Sequence, residues 1–270
     1  MSLEKTEAIV LKAFNWSESS RTVVFLSRDF GKIALIDKGG RSMKSRRGRL
    51  VSFARLELTF YMSKKESRGY IRDIEATSAI SMEGDGALGR LAYGSAACEL
   101  LNLLLPDEEP HRDLYEYFAT YLQYLEGVPK TSLPALFLAF FLRVLSNQGY
   151  HASLNYCTGC SKELGEENSE ASFSLPGPDV PFNAERGGLV CPSCQAPGDY
   201  YIGLSREGFD HLVQLQSASL KEAAAVPVSY RESEQILEAL TSFTACQTGA
   251  NSNLKSLEFL QKLKNSALTE

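Results

Sequence analysis

The spacing of apolar residues changes near residue 81, and no other feature of the chain constrains its fold as strongly. In the first 80 residues, apolar positions alternate with polar ones or form short runs, a pattern that predicts β-strands. From residue 88 onward they recur every three or four residues, which predicts helices. We therefore expect a multi-domain protein, with a β-sheet domain at residues 1–80 and an α-helical domain at residues 81–270.

Five strands are predicted in the first domain, at Glu7–Lys12, Thr22–Ser27, Lys32–Ile36, Phe53–Met62 and Tyr70–Ile74. The tetrapeptide Arg28-Asp29-Phe30-Gly31 predicts a hairpin turn, because glycine can adopt the positive φ that such turns require. Five short strands without a long helix fit a small β-barrel. The OB-fold is the leading prediction, although periodicity alone does not separate it from an SH3-like barrel.

The helical pattern of the second domain is interrupted once. Helices are predicted at residues 88–103, 114–125, 134–148, 205–217, 231–246 and 252–264. Ser205 is expected to cap its helix, with Glu207 in the first turn. Residues 151–203 lose helical periodicity and gain Gly, Pro and Cys, so we interpret them as a module inserted into the helical domain.

Four of the six cysteines form two Cys-x-x-Cys knuckles, Cys157-Thr-Gly-Cys160 and Cys191-Pro-Ser-Cys194. A gap of two residues lets both thiolates of a knuckle reach one ion, and two knuckles complete a tetrahedral site with no open position. This pattern favours one structural zinc ion per chain. Free thiols, two disulfides and a thioredoxin-like redox pair are the alternatives that the spacing leaves open.

Three smaller expectations concern the surroundings of the knuckles. His151 precedes the first knuckle and is an alternative ligand, although a surface histidine is the simpler interpretation. Phe173–Leu175 and Gly188–Val190 are expected to pair as a hairpin between the knuckles. Cys98 and Cys246 lie alone in helical patterns and are expected to be small buried side chains.

The net charge of -5 conceals a division along the chain. Residues 1–80 contain 16 Lys and Arg against 9 Asp and Glu, whereas residues 81–270 contain 12 against 24. A basic domain that precedes an acidic one predicts a phosphate-containing partner for the basic domain.

Residues 38–49 form a glycine- and serine-rich basic loop that contains no acid. Its cations are Lys38, Arg41, Lys44, Arg46, Arg47 and Arg49. On a barrel, such a loop predicts contact with nucleic-acid phosphates and little sequence preference, because no base-reading helix accompanies it. The alternative is a solvated loop without a partner.

Other residues are expected to extend this basic surface. Arg21 and Lys32, together with Arg55, are the further candidate cations. The candidates for base stacking are Phe14, Phe53 and Tyr61, although strand aromatics more often belong to a core.

The sequence offers no catalytic constellation. None of the three histidines lies in a recognised nucleophile or metal-hydrolase motif, and Gly39-Gly40 lacks the Gly-Lys-Ser/Thr ending of a phosphate-binding loop. The most apolar run, residues 133–142, is about half of the roughly 20 residues that span a bilayer. With no visible export signal, we expect a cytoplasmic protein that is not an enzyme and has no membrane partner.

Several motifs, in their order, resemble the bacterial RecO recombination mediators. In the first domain they are Glu7-Ala-Ile-Val-Leu-Lys12, Glu18-Ser-Ser-Arg21, Gly31-Lys32 and Lys38-Gly-Gly-Arg41. In the second domain they are the run from Phe141 to Tyr150 and the two knuckles, the latter preceded by Gly188-Leu-Val. Two departures are Ser20, where an Asp is usual, and Gly40, where an Ala is common.

The resemblance implies an OB-fold followed by a helical domain with a four-cysteine zinc module. It also implies binding of single- and double-stranded DNA, annealing of complementary strands, and help in loading recombinase onto DNA coated by single-strand-binding protein. The implied partners are RecR and the C-terminal tail of single-strand-binding protein.

Two other classes of function stay open on the residues alone. One is an RNA-binding OB-fold protein, because a basic loop does not distinguish DNA from RNA. The other is a protein-interaction scaffold in which the acidic helical domain carries the function.

Overall fold

The structure is a computed structural model whose residues fall into two compact units, Met1–Gly127 with Leu254–Glu270, and Val128–Asn253. It describes residues 2–15, 17–18, 20–40, 50, 52–62, 69–78, 80–81, 83–165, 171–175, 177–250 and 253–267, the last of these with side chains through residue 262. Among the described helices, none combines the length and the apolar character needed to cross a membrane.

The first unit begins with five strands, β1 (Ser2–Asn15), β2 (Arg21–Ser27), β3 (Gly31–Asp37), β4 (Arg55–Met62) and β5 (Gly69–Ser78). They are hydrogen-bonded in the closed order β1-β2-β3-β5-β4, in which β4 returns to pair with β1. Neighbouring strands are antiparallel except β3 and β5, which pair in parallel at Leu35–Gly69 and Ile36–Tyr70.

The core of this sheet comes from the alternating side chains that the sequence predicted. Leu56, Leu58 and Phe60 are fully buried, and Met62 packs against the same cluster from its rim. The other members are Ala8, Val23, Phe25, Ile33, Leu35, Ala54, Ile71 and Ile74. The five predicted strands are thus confirmed; four are longer than predicted, whereas β4 begins at Arg55 instead of Phe53.

The β2–β3 turn has the predicted chemistry. Gly31 has a φ of 68°, and the Ser27 hydroxyl donates to the Gly31 carbonyl at 2.9 Å while accepting from the Phe30 amide at 3.1 Å. A β-carbon at Gly31 would overlap the backbone of Glu109, which passes close to this turn. Glycine is therefore required at this position for two separate reasons, backbone conformation and space.

Three helices complete the first unit: α1 (Ala87–Leu104), α2 (Arg112–Gly127) and α7 (Lys255–Ala267). Helix α1 packs against β1 and against α7, and the Ser256 hydroxyl of α7 donates to Glu99 of α1 at 2.7 Å. The buried Arg90 donates to the Leu125 carbonyl at 2.8 Å, which satisfies one of the free carbonyls at the end of α2.

The second unit contains α3 (Leu133–Asn147), α4 (Arg206–Ser217), α5 (Leu220–Ala223) and α6 (Tyr230–Thr248). Helix α3 is buried along most of its length and packs against the other three, as expected for the most apolar run of the chain. Ser205 caps α4 by accepting from the Gly208 amide, which confirms that prediction. Helix α5 was not predicted, because four residues give no measurable periodicity.

Short strands between α3 and α4 form two small sheets: β6 (Glu163–Leu164) with β7 (Ser172–Phe173), and β8 (Asp179–Asn183) between β9 (Gly188–Leu189) and β10 (Ile202–Ser205). The expected hairpin of Phe173–Leu175 with Gly188–Val190 is wrong. Gly188–Leu189 pairs with β8 instead, because the Asn183 side chain accepts from the Arg186 amide and closes a four-residue turn between them.

The two requirements at Gly31 can be separated by experiment. Gly31→Ala should lower the free energy of unfolding by more than the roughly 1–2 kcal/mol that a left-handed alanine costs, because its β-carbon also displaces the Glu109 backbone. Gly39→Ala is the matched control, since Gly39 has a φ of 74° with nothing within 4 Å of the added carbon. Urea denaturation of both variants measures the difference; equal losses would show that the Glu109 contact is unimportant.

Candidate metal centre and nucleic-acid interface

The four knuckle cysteines converge on one point in the second unit. The sulfur atoms of Cys157, Cys160, Cys191 and Cys194 all lie within 4.8 Å of one another, and the Cys160 and Cys191 sulfurs are 3.7 Å apart. Four sulfurs bound at about 2.3 Å to one tetrahedral ion would lie about 3.8 Å apart. The cluster could therefore hold a metal ion, and His151 is not part of it.

Backbone hydrogen bonds hold the two knuckles together. The amide and the hydroxyl of Thr158 both donate to the Leu189 carbonyl, at 2.8 and 3.0 Å, which joins the first knuckle to the end of β9. The second knuckle is a short 3-10 turn, Pro192–Cys194, in which the Cys194 amide donates to the Cys191 carbonyl. Arg186 donates to the Cys194 carbonyl at 3.0 Å and pairs with Asp199, which supports the turn from outside.

Hydrogen bonds from backbone amides favour the thiolate form of Cys157. Burial raises the pKa of the Cys157 thiol, but hydrogen bonds from the amides of Cys191, Gly159 and Cys160 outweigh it and lower that pKa to about 6. The neighbouring sulfurs of Cys191 and Cys160 act in the opposite direction on Cys194 and raise its pKa to about 12. Several thiolates at this distance repel one another, and a cation between them removes that repulsion.

Gly159 leaves the space that the cluster needs. A β-carbon at this position would lie 2.9 Å from the Cys194 β-carbon and 3.0 Å from its sulfur, closer than such contacts occur. The glycine of the first knuckle is therefore required by the second knuckle, which approaches it across the site. The residues present fit a soft, tetrahedral cation with four sulfur ligands and no open position.

All six cysteines are free thiols in the structure, so the disulfide alternative does not describe this cluster. Cys98 is buried in α1, as expected. Cys246 is exposed, and the expectation that it is buried is wrong. It lies in the last turn of α6, at the edge of the apolar stripe formed by Ile236, Ala239 and Phe243.

The structure describes only part of the predicted basic surface. The ammonium group of Lys38 lies over the ring of Tyr70, 4.1 Å from its centroid. The other loop cations, Arg41, Lys44, Arg46, Arg47 and Arg49, lie outside the described residues.

Arg21 and Lys32 make contacts within the first unit. The Arg21 guanidinium donates to the buried Asp37 carboxylate at 2.9 Å. Lys32 donates to the Asn102 carbonyl at 2.9 Å and pairs with Asp107 at 3.2 Å, which brings a positive charge to the C-terminal end of α1. Both cations thus stabilise the unit, and their contact with nucleic acid stays a prediction.

Gly40 is packed against the Arg21–Asp37 pair. A β-carbon at Gly40 would overlap the Asp37 carboxylate, so the ion pair as it stands uses the space that Gly40 leaves.

The three candidate base-stacking residues differ in solvent exposure. Phe53 is buried, whereas Phe14 and Tyr61 are exposed on the outside of the sheet. Tyr70 and Lys12 were not among the predicted contact residues. The ammonium group of Lys12 lies 4.4 Å from the centroid of the Phe14 ring. The contact of Lys38 with Tyr70 becomes visible only when the strands are paired, because the two residues are far apart in the sequence. Lys12 is two residues from Phe14 on β1, so the i,i+2 spacing along a strand could have indicated that contact.

Two family models match this chain. The model described as Recombination protein O N terminal matches residues 1–80, and that described as Recombination protein O C terminal matches residues 86–258.

Several relatives are named DNA repair protein RecO. The one from Symbiobacterium thermophilum is 28% identical over 98% of this chain and 99% of its own length. The one from Anaeromyxobacter dehalogenans is 31% identical over 90% and 91%, and that from Clostridium novyi is 26% identical over 100% and 98%. The chain belongs to the RecO family of DNA repair proteins.

The steric role of Gly159 gives a test of the metal centre. Gly159→Ala should lower the metal content per chain, measured by elemental mass spectrometry after dialysis, because the added carbon displaces Cys194. Gly165→Ala is the matched control, since nothing lies within 4 Å of its added carbon. Equal metal content in both variants and the unmodified protein would contradict the assigned role of Gly159.

Proposed function

We propose that this RecO-family chain is a recombination mediator in DNA repair that acts without catalysing a reaction. It binds single- and double-stranded DNA and anneals complementary strands. Together with RecR, it helps to load recombinase onto single-stranded DNA coated by single-strand-binding protein, whose C-terminal tail is a further partner. The observation that carries the DNA-binding part is the run of six cations and no acid at residues 38–49, directly after β3 of a closed five-stranded sheet.

The first 80 residues are proposed to be an OB-fold barrel. The support is the closed order β1-β2-β3-β5-β4 with one parallel pair, between β3 and β5. Barrels of this size bind oligonucleotides through an outer face and the loops beside it. We propose that residues 81–270 form the helical domain of the family, with the cysteine module inserted at about residues 151–203.

The proposed DNA contacts are phosphate contacts. They are made by Lys38, Arg41, Lys44, Arg46, Arg47 and Arg49, with Arg21 and Lys32 at the edge of the surface. Each cation close to a phosphate releases a counterion, which makes binding steeply dependent on salt. The acidic helical domain repels the strand and leaves the basic domain as its site.

We propose one structural zinc ion per chain, held by Cys157, Cys160, Cys191 and Cys194. The support is the four-sulfur cluster with spacings close to those of a tetrahedral site. A closed site of this kind fastens two distant segments of the module and leaves no position for a substrate. We place the protein in the bacterial cytoplasm, at the nucleoid.

Charge removal from the loop tests the DNA-binding proposal. Arg46→Ala/Arg47→Ala should weaken single-stranded DNA binding and reduce the slope of log K against log salt by as much as about 1.4, if each lost cation contributes about 0.7. Fluorescence anisotropy at several salt concentrations measures both quantities. Replacing Arg41, Lys44 and Arg49 as well should reduce the slope further.

The matched control removes two exposed cations from the second unit, Lys221→Ala/Arg231→Ala. It changes the net charge by the same amount as Arg46→Ala/Arg47→Ala but should leave affinity and slope close to those of the unmodified protein. If the two double variants behave alike, the loop has no special role.

Two further measurements separate the proposal from its alternatives. Competition between single-stranded DNA and RNA of one sequence at equal salt distinguishes a DNA mediator from an RNA-binding protein. Strand annealing with and without single-strand-binding protein tests the mediator role itself. A scaffold without nucleic-acid function would show no binding to oligonucleotides even at low salt.

A further inference from the structure

The outer face of the sheet carries one continuous row of cross-strand neighbours. Tyr61 of β4 lies opposite Leu3 of β1 and opposite Tyr70 of β5. Tyr70 lies opposite Ile36 of β3, Ile36 opposite Thr22 of β2, and Thr22 opposite Phe14 of β1. We call the residues Leu3, Tyr61, Tyr70, Ile36, Thr22 and Phe14 the outer row.

Paired residues of neighbouring strands point to the same side of a sheet, with β-carbons about 4.5–5.5 Å apart. The residues that alternate with them, among them Phe60, Ile71 and Leu35, belong to the core inside. The outer row therefore places aromatic rings on the outside. Tyr61 and Phe14 are 36% and 46% exposed, far more than strand aromatics that serve a core.

Apart from Leu3, each end of the outer row combines an aromatic ring with a cation. Lys38 stacks on Tyr70 beside the exposed Tyr61, and Lys12 stacks on Phe14. Four strand spacings of about 4.8 Å separate Tyr61 from Phe14, so the two ends lie about 19 Å apart along the curved face. The half-buried Ile36 and the buried Thr22 lie between the two ring–cation pairs. Exposed rings accompanied by cations are typical of surfaces that bind single-stranded nucleic acid.

The charges on the same face give the outer row a preferred side. Glu57 lies opposite both Glu7 and Glu75, four residues along β4 from Tyr61, or about 13 Å away. Lys5 pairs with Glu57 and Arg28 with Glu7, which offsets much of the negative charge of these carboxylates. A phosphate backbone is attracted to Lys38 and Lys12, so a strand lying on the outer row would turn its bases to the rings and its phosphates to these two cations.

The outer row is too narrow for a second protein. It is one residue wide along β1, β4 and β5, and the next row on this face is the polar set Lys5, Thr59 and Asp73. A stable protein interface buries about 800 Å² on each partner. A nucleic-acid base, in contrast, can stack on a single exposed ring and does not need a wide apolar surface.

We propose that the outer row is a base-stacking surface for single-stranded DNA, with Tyr61 and Phe14 as the stacking residues. The inference rests on the proposed DNA-binding function and goes beyond it, because phosphate contacts alone do not require bases. It predicts that this protein distinguishes a normal strand from one of equal charge that lacks its bases.

The test compares oligo(dT) with an abasic strand of the same length, by fluorescence anisotropy at one salt concentration. The unmodified protein should bind oligo(dT) more tightly. Each ring that is removed should lower the affinity for oligo(dT) at least about fivefold, so Tyr61→Ala/Phe14→Ala should bind oligo(dT) about 25-fold more weakly. Its affinity for the abasic strand should change little. Arg46→Ala/Arg47→Ala should weaken binding to both strands.

Two variants act as controls. Tyr61→Phe/Phe14→Tyr keeps both rings and should keep the preference for bases. Tyr200→Ala removes a tyrosine that is 72% exposed in the second unit and should change neither affinity. If the double alanine variant does not fold, Tyr61→Ala alone with Tyr61→Phe as its rescue gives the same comparison, with an expected loss of about fivefold.

The outcomes separate this inference from the function on which it rests. Equal affinity of the unmodified protein for both strands, or equal losses of the alanine variant on both, would overturn the stacking surface and leave DNA binding intact. Binding to neither strand would overturn both. A change in oligomeric state of Tyr61→Ala/Phe14→Ala on light scattering, without loss of base preference, would identify the row as a self-interface and overturn the inference.

Discussion

The first unit depends on a single strand that serves two neighbours. The first half of β1 pairs with β4 and its second half with β2, and Ala8 and Ile9 pair with both. A strand can do this only if it bends, and the register shift between Val10 and Lys12 supplies the extra residue that bends it. Because β1 closes the sheet, Leu3 and Phe14 lie at opposite ends of one outer row although they belong to the same strand. The closure thus determines both the buried core and the arrangement of the exposed rings.

Local patterns in the sequence predicted the elements well, and their pairing poorly. The alternation in residues 53–62 and the helical spacing from residue 88 depend on neighbours within one element, so they can be read without knowing the fold. The hairpin between the knuckles was mispredicted because Gly188–Leu189 has an adjacent partner whose turn is closed by Asn183, a contact of one side chain. The exposure of Cys246 depends on how far the buried face of α6 extends around the helix, because Cys246 lies at the edge of that face.

In the candidate site, too, local features could be predicted from the sequence and tertiary contacts could not. The four cysteines could be predicted as one cluster because the chemistry of the knuckles is local, although the space that Gly159 leaves for Cys194 could not. Cations are harder to interpret, because a sequence does not separate charges that stabilise a fold from charges that meet a ligand. Arg21 neutralises the buried Asp37, and Lys32 holds the end of α1, whereas Lys38 lies on the outside against Tyr70. The outer row depends on pairings between strands up to about 60 residues apart in sequence, which only the closed sheet reveals.

The cysteine module illustrates how a small irregular segment can be held in one conformation. In the described parts of residues 151–203 the strands are short, so ordering the backbone costs free energy. The buried side chains that offset this cost include Val180, Phe182 and Leu189, in β8 and β9. The hydrogen bonds from Thr158 to Leu189 bring the knuckles together but leave several sulfurs side by side. A cation in the cluster would convert this mutual repulsion into attraction and close the loop of about 30 residues between the knuckles. The metal would therefore add to these buried side chains a cross-link at the knuckles, where the thiolates alone repel one another.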